Sequence, residues 1–342
     1  MRPSESKKVM LTFDVEGPPG MEDFAELDTL KSFYRILKLL EKYDLHALFF
    51  ITGNLIENIH KDKEIFNLLE KHEIGFHSSS HSIKPRIFEY TDLPDYDEAI
   101  KVSIERETSK INKFTGKIEG SGGILSLREY FPDKKIESFR APFNYFSPPH
   151  IEALREIGIK YVFSGISLDF PFLYKGLTYF PEVYYLDDLS NKIVRTNYLG
   201  TPIFFPLFLE LYNMNYVVLG CHPHQCYFEK YENNILKFRY LNSMHPFYLR
   251  KKHFAKIKIN YLLLEFLLYK LKLSHKKGLV DVSPEPKVSN TILDTKKIDV
   301  RENYEYCLSI ATELFRYKPR YLLSQLYHFF EINRDILRNL RE

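Results

Sequence analysis

Two short motifs, TFDVEG at Thr12–Gly17 and HSSSH at His77–His81, carry the side chains best suited to chemistry. Each ends an apolar, strand-like run. In KVMLTFDVEG an extended backbone puts Asp14 and Glu16 on one face, because side chains two apart on a strand point the same way. In HSSSH the imidazoles stand four residues apart, a spacing that one helical turn would bring to a common side, near enough to share an ion. Two imidazoles and a carboxylate make a three-ligand site with a position left for water. Both motifs also have plainer readings. A strand-terminal Asp commonly caps the following helix, and a single His is more often a satisfied core residue than a ligand.

Two further motifs sit at the ends of strand-like runs. FRAPFN (Phe139–Asn144) places Arg140 where a strand gives way to a turn fixed by Pro142, a setting in which a surface ion pair would be unremarkable. In VVLGCHPH (Val217–His224), Pro223 keeps His222 out of the helical region, so that its ring projects from the strand end; a loop-capping role is the alternative. All four motifs fall at the C-terminal ends of predicted strands. That is the rim where β/α barrels and sheets place their chemistry.

The elements that must position these residues follow from periodicity. VMLTFDV, HALFFIT, EIGFHS, IESFRAP, IKYVFSG and NYVVLGCH read as strands. Between the earlier ones lie amphipathic segments: 23–44, with apolar residues at helical spacing, EIFNLLEKH, a second long helix ending at Gly116, and PPHIEALREIG. Strand and helix in alternation predict a mostly parallel sheet or barrel. The stretch from about Leu168 to Pro206, rich in Tyr and Phe, reads as irregular and substrate-facing.

The length of 342 residues suits one large domain with an appendage, or two domains, divided here at 1–240 and 241–342. Beyond Tyr240 the pattern is helical, and residues 250–277 carry nine Lys or Arg against the single acid Glu265. Such a helix would lie on an anionic membrane surface, or pack on the barrel with its Lys heads in water. A net charge of +3 argues against general nucleic-acid binding. Three cysteines, Cys221, Cys226 and Cys307, do not make a disulfide framework and point to a reducing compartment. With neither a signal-like apolar stretch near the N-terminus nor a run of membrane-spanning length, a cytoplasmic location is expected.

Taken in order, TFDVE, HSSSH, RAPF and LGCH resemble the motif set of the polysaccharide deacetylase family, also called the NodB-homology or carbohydrate esterase family 4 group. The resemblance spans roughly Lys8 to Tyr227. It implies an α/β fold, a distorted (β/α) barrel of about seven strands, here with a C-terminal helical extension. The implied activity is hydrolysis of N-acetyl, less often O-acetyl or N-formyl, groups from sugars with one divalent metal ion, zinc first and cobalt, nickel or manganese as alternatives. By position, Asp14 resembles the catalytic base, Arg140 the arginine that holds it, and His222 the general acid. His77 and His81 resemble the metal-ligating imidazoles, and the backbone amide of Phe143 the oxyanion donor. Two features depart from the pattern. Val15 stands where a second aspartate is usual, which passes the third ligand position to Glu16, and the Asp-rich fourth motif is missing, with Asp169 the nearest substitute.

The expected function is thus removal of an N-acyl group from an amino sugar in a glycan, nucleotide-linked or lipid-linked carbohydrate. An allantoinase-like hydrolase acting on a non-sugar amide, and a catalytically silent glycan-binding protein, are the alternatives. The expected partner is the sugar substrate, without nucleic acid and with peripheral membrane contact through 250–277 as a further option.

Overall fold

The computed structural model describes residues 7–16, 23–81, 85, 87–91, 93, 95–112, 115–142, 147–163, 171–174, 176–180, 183–187, 216–230 and 249–286. The strands are β1 (Lys7–Val15), β2 (Leu48–Ile51), β3 (Glu73–Phe76), β4 (Ser109–Ile111), β5 (Ile118–Ser121), β6 (Ser138–Phe139), β7 (Tyr161–Val162), β8 (Phe172–Tyr174), β9 (Leu177–Tyr179), β10 (Val183–Tyr185), β11 (Tyr216–Cys221), β12 (Phe228–Lys230), β13 (Leu249–Lys251) and β14 (Val280–Val282). The helices are α1 (Asp23–Tyr43), α2 (Ile56–Lys61), α3 (Lys63–Leu69), α4 (Ile87–Tyr90), α5 (Tyr96–Glu107), α6 (Ile124–Tyr130), α7 (Pro148–Glu156), α8 (Pro223–Tyr227) and α9 (Phe254–Lys276).

Ten strands form the main sheet in the order β10-β11-β1-β2-β3-β6-β7-β9-β8, with β14 beside β1. Every pairing in it is parallel except β8 with β9. Since β11 runs along Lys8–Phe13 of β1, β14 and β2 divide the opposite edge, at Lys7–Val9 and Thr12–Val15 respectively.

The sheet curls. Met10 of β1, Leu48 and Phe50 of β2 and Val218 of β11 form one buried cluster with Phe163 and Phe180, which follow β7 and β9. In a flat sheet β2 and β7, three strand spacings apart, would be about 14 Å from one another. The Phe50 and Phe163 rings instead meet at 5.2 Å. The result is a distorted (β/α) barrel, as the resemblance implies, whose lumen is filled by side chains. Alternation along β1 assigns the two faces: Val9, Leu11, Phe13 and Val15 join the larger core beneath the helices, leaving Met10, Thr12 and Asp14 to the lumen.

Helix α1 covers the outer face through Phe33, Ile36, Leu37 and Leu40, all fully buried at the i, i+3, i+4, i+7 spacing. Helix α9 packs against α1 through Ile257, Tyr261, Leu264 and Leu268, with the Arg35 guanidinium 3.9 Å over the Tyr261 ring. Leu262 and Phe266, on another face, and Phe254, at the start of the helix, are exposed. Among the described residues, no helix is long and apolar enough to cross a membrane.

Two helix boundaries differ from the sequence expectation. The helix expected to reach Gly116 stops at Glu107, and the chain turns into the β4–β5 hairpin. There the Thr108 hydroxyl bonds back to the Ile104 carbonyl, while Glu107 is drawn into a buried network. The basic segment expected as one helix over 250–277 begins instead as β13, paired with β12, and turns helical at Phe254 after the His253 cap.

Candidate active site

Glu16 leaves the end of β1 on the same face as Asp14, two residues earlier, and both are buried. His77 leaves the end of β3, its backbone N–H donating to the Ile51 carbonyl at 3.0 Å. The segment that follows is an irregular, bent loop and not the helical turn expected from the four-residue spacing. Ser78 and His81 adopt left-handed backbone angles, φ 61° and 47°, and this reversal brings the two rings together, centroids 5.3 Å apart.

A non-glycine residue in that region is costly and persists only where its surroundings enforce it. Glu107 does so here. Its carboxylate accepts from Ser78 Oγ at 2.9 Å, from the Ser79 backbone N–H at 3.1 Å and from Tyr90 Oη at 3.2 Å. His150 of α7 meets it at 2.9 Å. Glu107 and His150 are both fully buried and went unnoticed in the sequence, where each sits inside an ordinary amphipathic helix.

The two imidazoles converge on one oxygen. His77 Nε2 lies 3.0 Å and His81 Nε2 2.8 Å from Glu16 Oε2. The other nitrogen of His77, Nδ1, is 2.8 Å from the Arg140 carbonyl and must be the donor there, so that Nε2 is left to face the carboxylate. Burial pushes the Glu16 carboxyl up, but the His81 charge and the hydrogen bonds from both imidazoles outweigh it and hold the group well below the usual carboxylate range. This donor set, two buried imidazoles and a carboxylate with all ligand atoms within 4.8 Å, fits a single divalent cation of the zinc type.

Beside it stands a second carboxylate, oriented from the far wall of the barrel. Arg140, fully buried, donates from Nη1 to Asp14 Oδ1 at 2.5 Å, from Nη2 to Thr12 Oγ1 at 2.9 Å and from Nε to the Phe163 carbonyl at 3.2 Å. Its guanidinium also lies 4.3 Å over the Phe50 ring. Asp14 Oδ2 is left facing Tyr185 Oη at 3.3 Å and His222 Nε2 at 3.4 Å.

His222 is clamped by Asp187, which accepts from its backbone N–H and meets its Nδ1, both at 2.7 Å. Burial would lower the imidazole, but Asp187, then Asp14 and Glu16, raise it from the ordinary 6.5 to about 10. His222 is therefore an imidazolium at neutral pH, with Nε2–H directed at Asp14. Asp169, the nearest substitute for the missing motif, lies outside the described residues, as does Phe143. Asp187 is the carboxylate found beside His222. Its signal was present in VYYLDD, another acid ending a strand-like run, though submerged in a stretch read as irregular.

The four motifs thus meet at one rim, and residues 1–162 match the family model described as polysaccharide deacetylase. Over this part the chain is similar to the polysaccharide deacetylase family. Among solved structures, one assigned to the polysaccharide deacetylases, from Mycobacterium smegmatis, is 16% identical at a TM-score of 0.47 and covers 86% of this chain and 97% of its own. A family 4 carbohydrate esterase from Bacillus anthracis is 16% identical at a TM-score of 0.37, over 82% of this chain and 81% of its own. The Puue allantoinase is 12% identical at a TM-score of 0.43, over 76% and 92%. No curated protein matches.

Proposed function

We propose that this protein is a metal-dependent hydrolase that removes an N-acyl group, acetyl or formyl, from an amino sugar. One observation carries the reading: a carboxylate held by a buried arginine and an imidazolium held by Asp187 face each other at 3.4 Å, beside the Glu16, His77 and His81 cluster. These are the two proton-transfer partners that amide hydrolysis requires.

A divalent ion held by Glu16, His77 and His81 would supply Lewis acidity toward the acyl oxygen and the attacking water. Arg140 engages Oδ1 of Asp14 and so leaves Oδ2 to take the proton as water adds to the acyl carbon. His222 then delivers its Nε2 proton to the amide nitrogen as the carbon–nitrogen bond breaks, since an amine leaves poorly until protonated. Asp187 keeps the ring charged and aimed until that moment. The products are the free amine and the carboxylic acid. The intact HSSSH cluster favours this reading over a metal-free hydrolase on a non-sugar amide. Retention of Asp14, Arg140 and His222 together counts against a silent binding module.

The test is metal analysis of the purified chain coupled to acetate and formate release from a panel of N-acylated sugars and their lipid-linked forms. Release that a chelator abolishes and zinc or cobalt restores is the expected result. Hydrolysis of allantoin with none of any sugar would transfer the assignment to the second reading.

A titration checks the acid. In the metal-free protein the His222 NMR resonances should report charge retained up to about pH 10. Because the folded value is raised, the stability gained from this group is fully present below the unfolded value of about 6.5. That stability disappears as pH rises through the folded one. Asp187→Asn should lower the midpoint by about one to three pH units, and an unmoved midpoint would remove Asp187 from its assigned role.

A further inference from the structure

One buried side chain at this rim has no part in the chemistry so far. His224 lies in α8, two residues beyond His222 and immediately after Pro223, in the first turn of that helix. It is 3% exposed, and among the described residues its Nδ1 is buried without a hydrogen-bond partner. A polar atom removed from water and left unmatched is unfavourable, and such atoms are rare in folded proteins. This one points at the candidate metal cluster: Nδ1 lies 3.9 Å from Glu16 Oε1. The oxygen it faces is the one that the paired imidazoles leave free, since His77 and His81 both approach Oε2.

Glu16 has a particular need for such a neighbour. It sits one residue beyond Val15 and reaches the cluster on a side chain with one more rotatable bond than an aspartate. Two imidazoles on Oε2 fix the position of that oxygen but leave the carboxylate plane free to rotate about it. A donor on Oε1 removes that freedom. A separation of 3.9 Å is too long for a hydrogen bond, and a small rotation of either side chain closes it to the ordinary range. His224 does not itself belong to the compact set of ligand atoms, which among the described residues comprises Glu16, His77 and His81.

We propose that His224 is a positioning residue for the metal centre. Its Nδ1–H donates to Oε1 of Glu16 and fixes the carboxylate with Oε2 toward His77 and His81. The inference rests on the metal-dependent reading of the site, and metal affinity tests it without recourse to turnover. Cobalt(II) affinity is measured by chelator competition on the full chain, together with the visible absorption of the bound ion. His224→Leu, close in volume but without a donor, should weaken cobalt binding about 10- to 100-fold and alter the absorption band. His224→Asn, whose amide nitrogen falls near the place of Nδ1, should recover most of that loss.

A double-mutant cycle supplies the second arm and guards against a general packing defect in the Leu variant. Once Glu16→Gln has been introduced, adding His224→Leu should cost little more, because the group it acts through is gone. Unchanged affinity in His224→Leu, or a full additional loss in the double variant, overturns the proposal while leaving the metal site in place. A wild-type chain that binds no cobalt would overturn the metal-dependent reading and this inference together.

Discussion

Asp14→Asn should leave the protein folded and able to bind one divalent ion, while turnover falls by about 10²- to 10⁴-fold. The substitution keeps the shape of the side chain, and the amide oxygen still accepts from Arg140 Nη1 at the place of Oδ1. What it removes is the ability of the second atom to take a proton. Because Asp14 is no member of the Glu16, His77 and His81 cluster, metal stoichiometry should be retained. Acyl release and cobalt content measured on one preparation decide the matter: a variant with full turnover would dismiss Asp14 as the base, and one that had lost its metal would place Asp14 among the ligands.

Arg140→Met should act on stability as well as on activity. The guanidinium is fully buried and ties three strands together, reaching Asp14 and Thr12 on β1 and the Phe163 carbonyl after β7 from the end of β6. Methionine fills much of the space but leaves Asp14, 1% exposed, without its cation. Breaking a buried pair from one side costs about 3–5 kcal/mol, a large part of the 5–15 kcal/mol typical of whole proteins. Urea unfolding should register the loss, and a change below about 1 kcal/mol would mean that Asp14 finds other support. Metal affinity in the folded fraction should survive, because His77 depends on Arg140 only through the backbone carbonyl.

The two variants separate parts of the site that differ in how plainly the sequence displayed them. Asp14 and Glu16 were legible because a strand has a period of two, so that residue types alone put both carboxylates on one face. Strand ends, rim placement and the α1 stripe at Phe33, Ile36, Leu37 and Leu40 follow from the same kind of local rule. The HSSSH spacing predicted that two imidazoles would meet, but the way they meet was misread. Helical periodicity suggested a turn, whereas a left-handed loop braced by Glu107 brings them together. Nothing local to the five residues indicates that brace, which arrives from the end of α5.

The remaining members of the site became visible only when the sheet curled. Arg140 and Asp14 are 126 positions apart, and His222 and Asp187 are 35 apart. Glu107 with His150, and His224 with Glu16, are likewise pairs whose members look ordinary in their own segments. By itself the sequence determined which residue types stand at which strand ends, and so the kind of chemistry on offer. The tertiary structure decided which carboxylate clamps His222, which buried glutamate braces the HSSSH loop and which imidazole faces the free oxygen of Glu16. The physical reason is that periodicity fixes the direction of a side chain relative to its own strand or helix, whereas the partner it meets depends on how far the sheet closes upon itself.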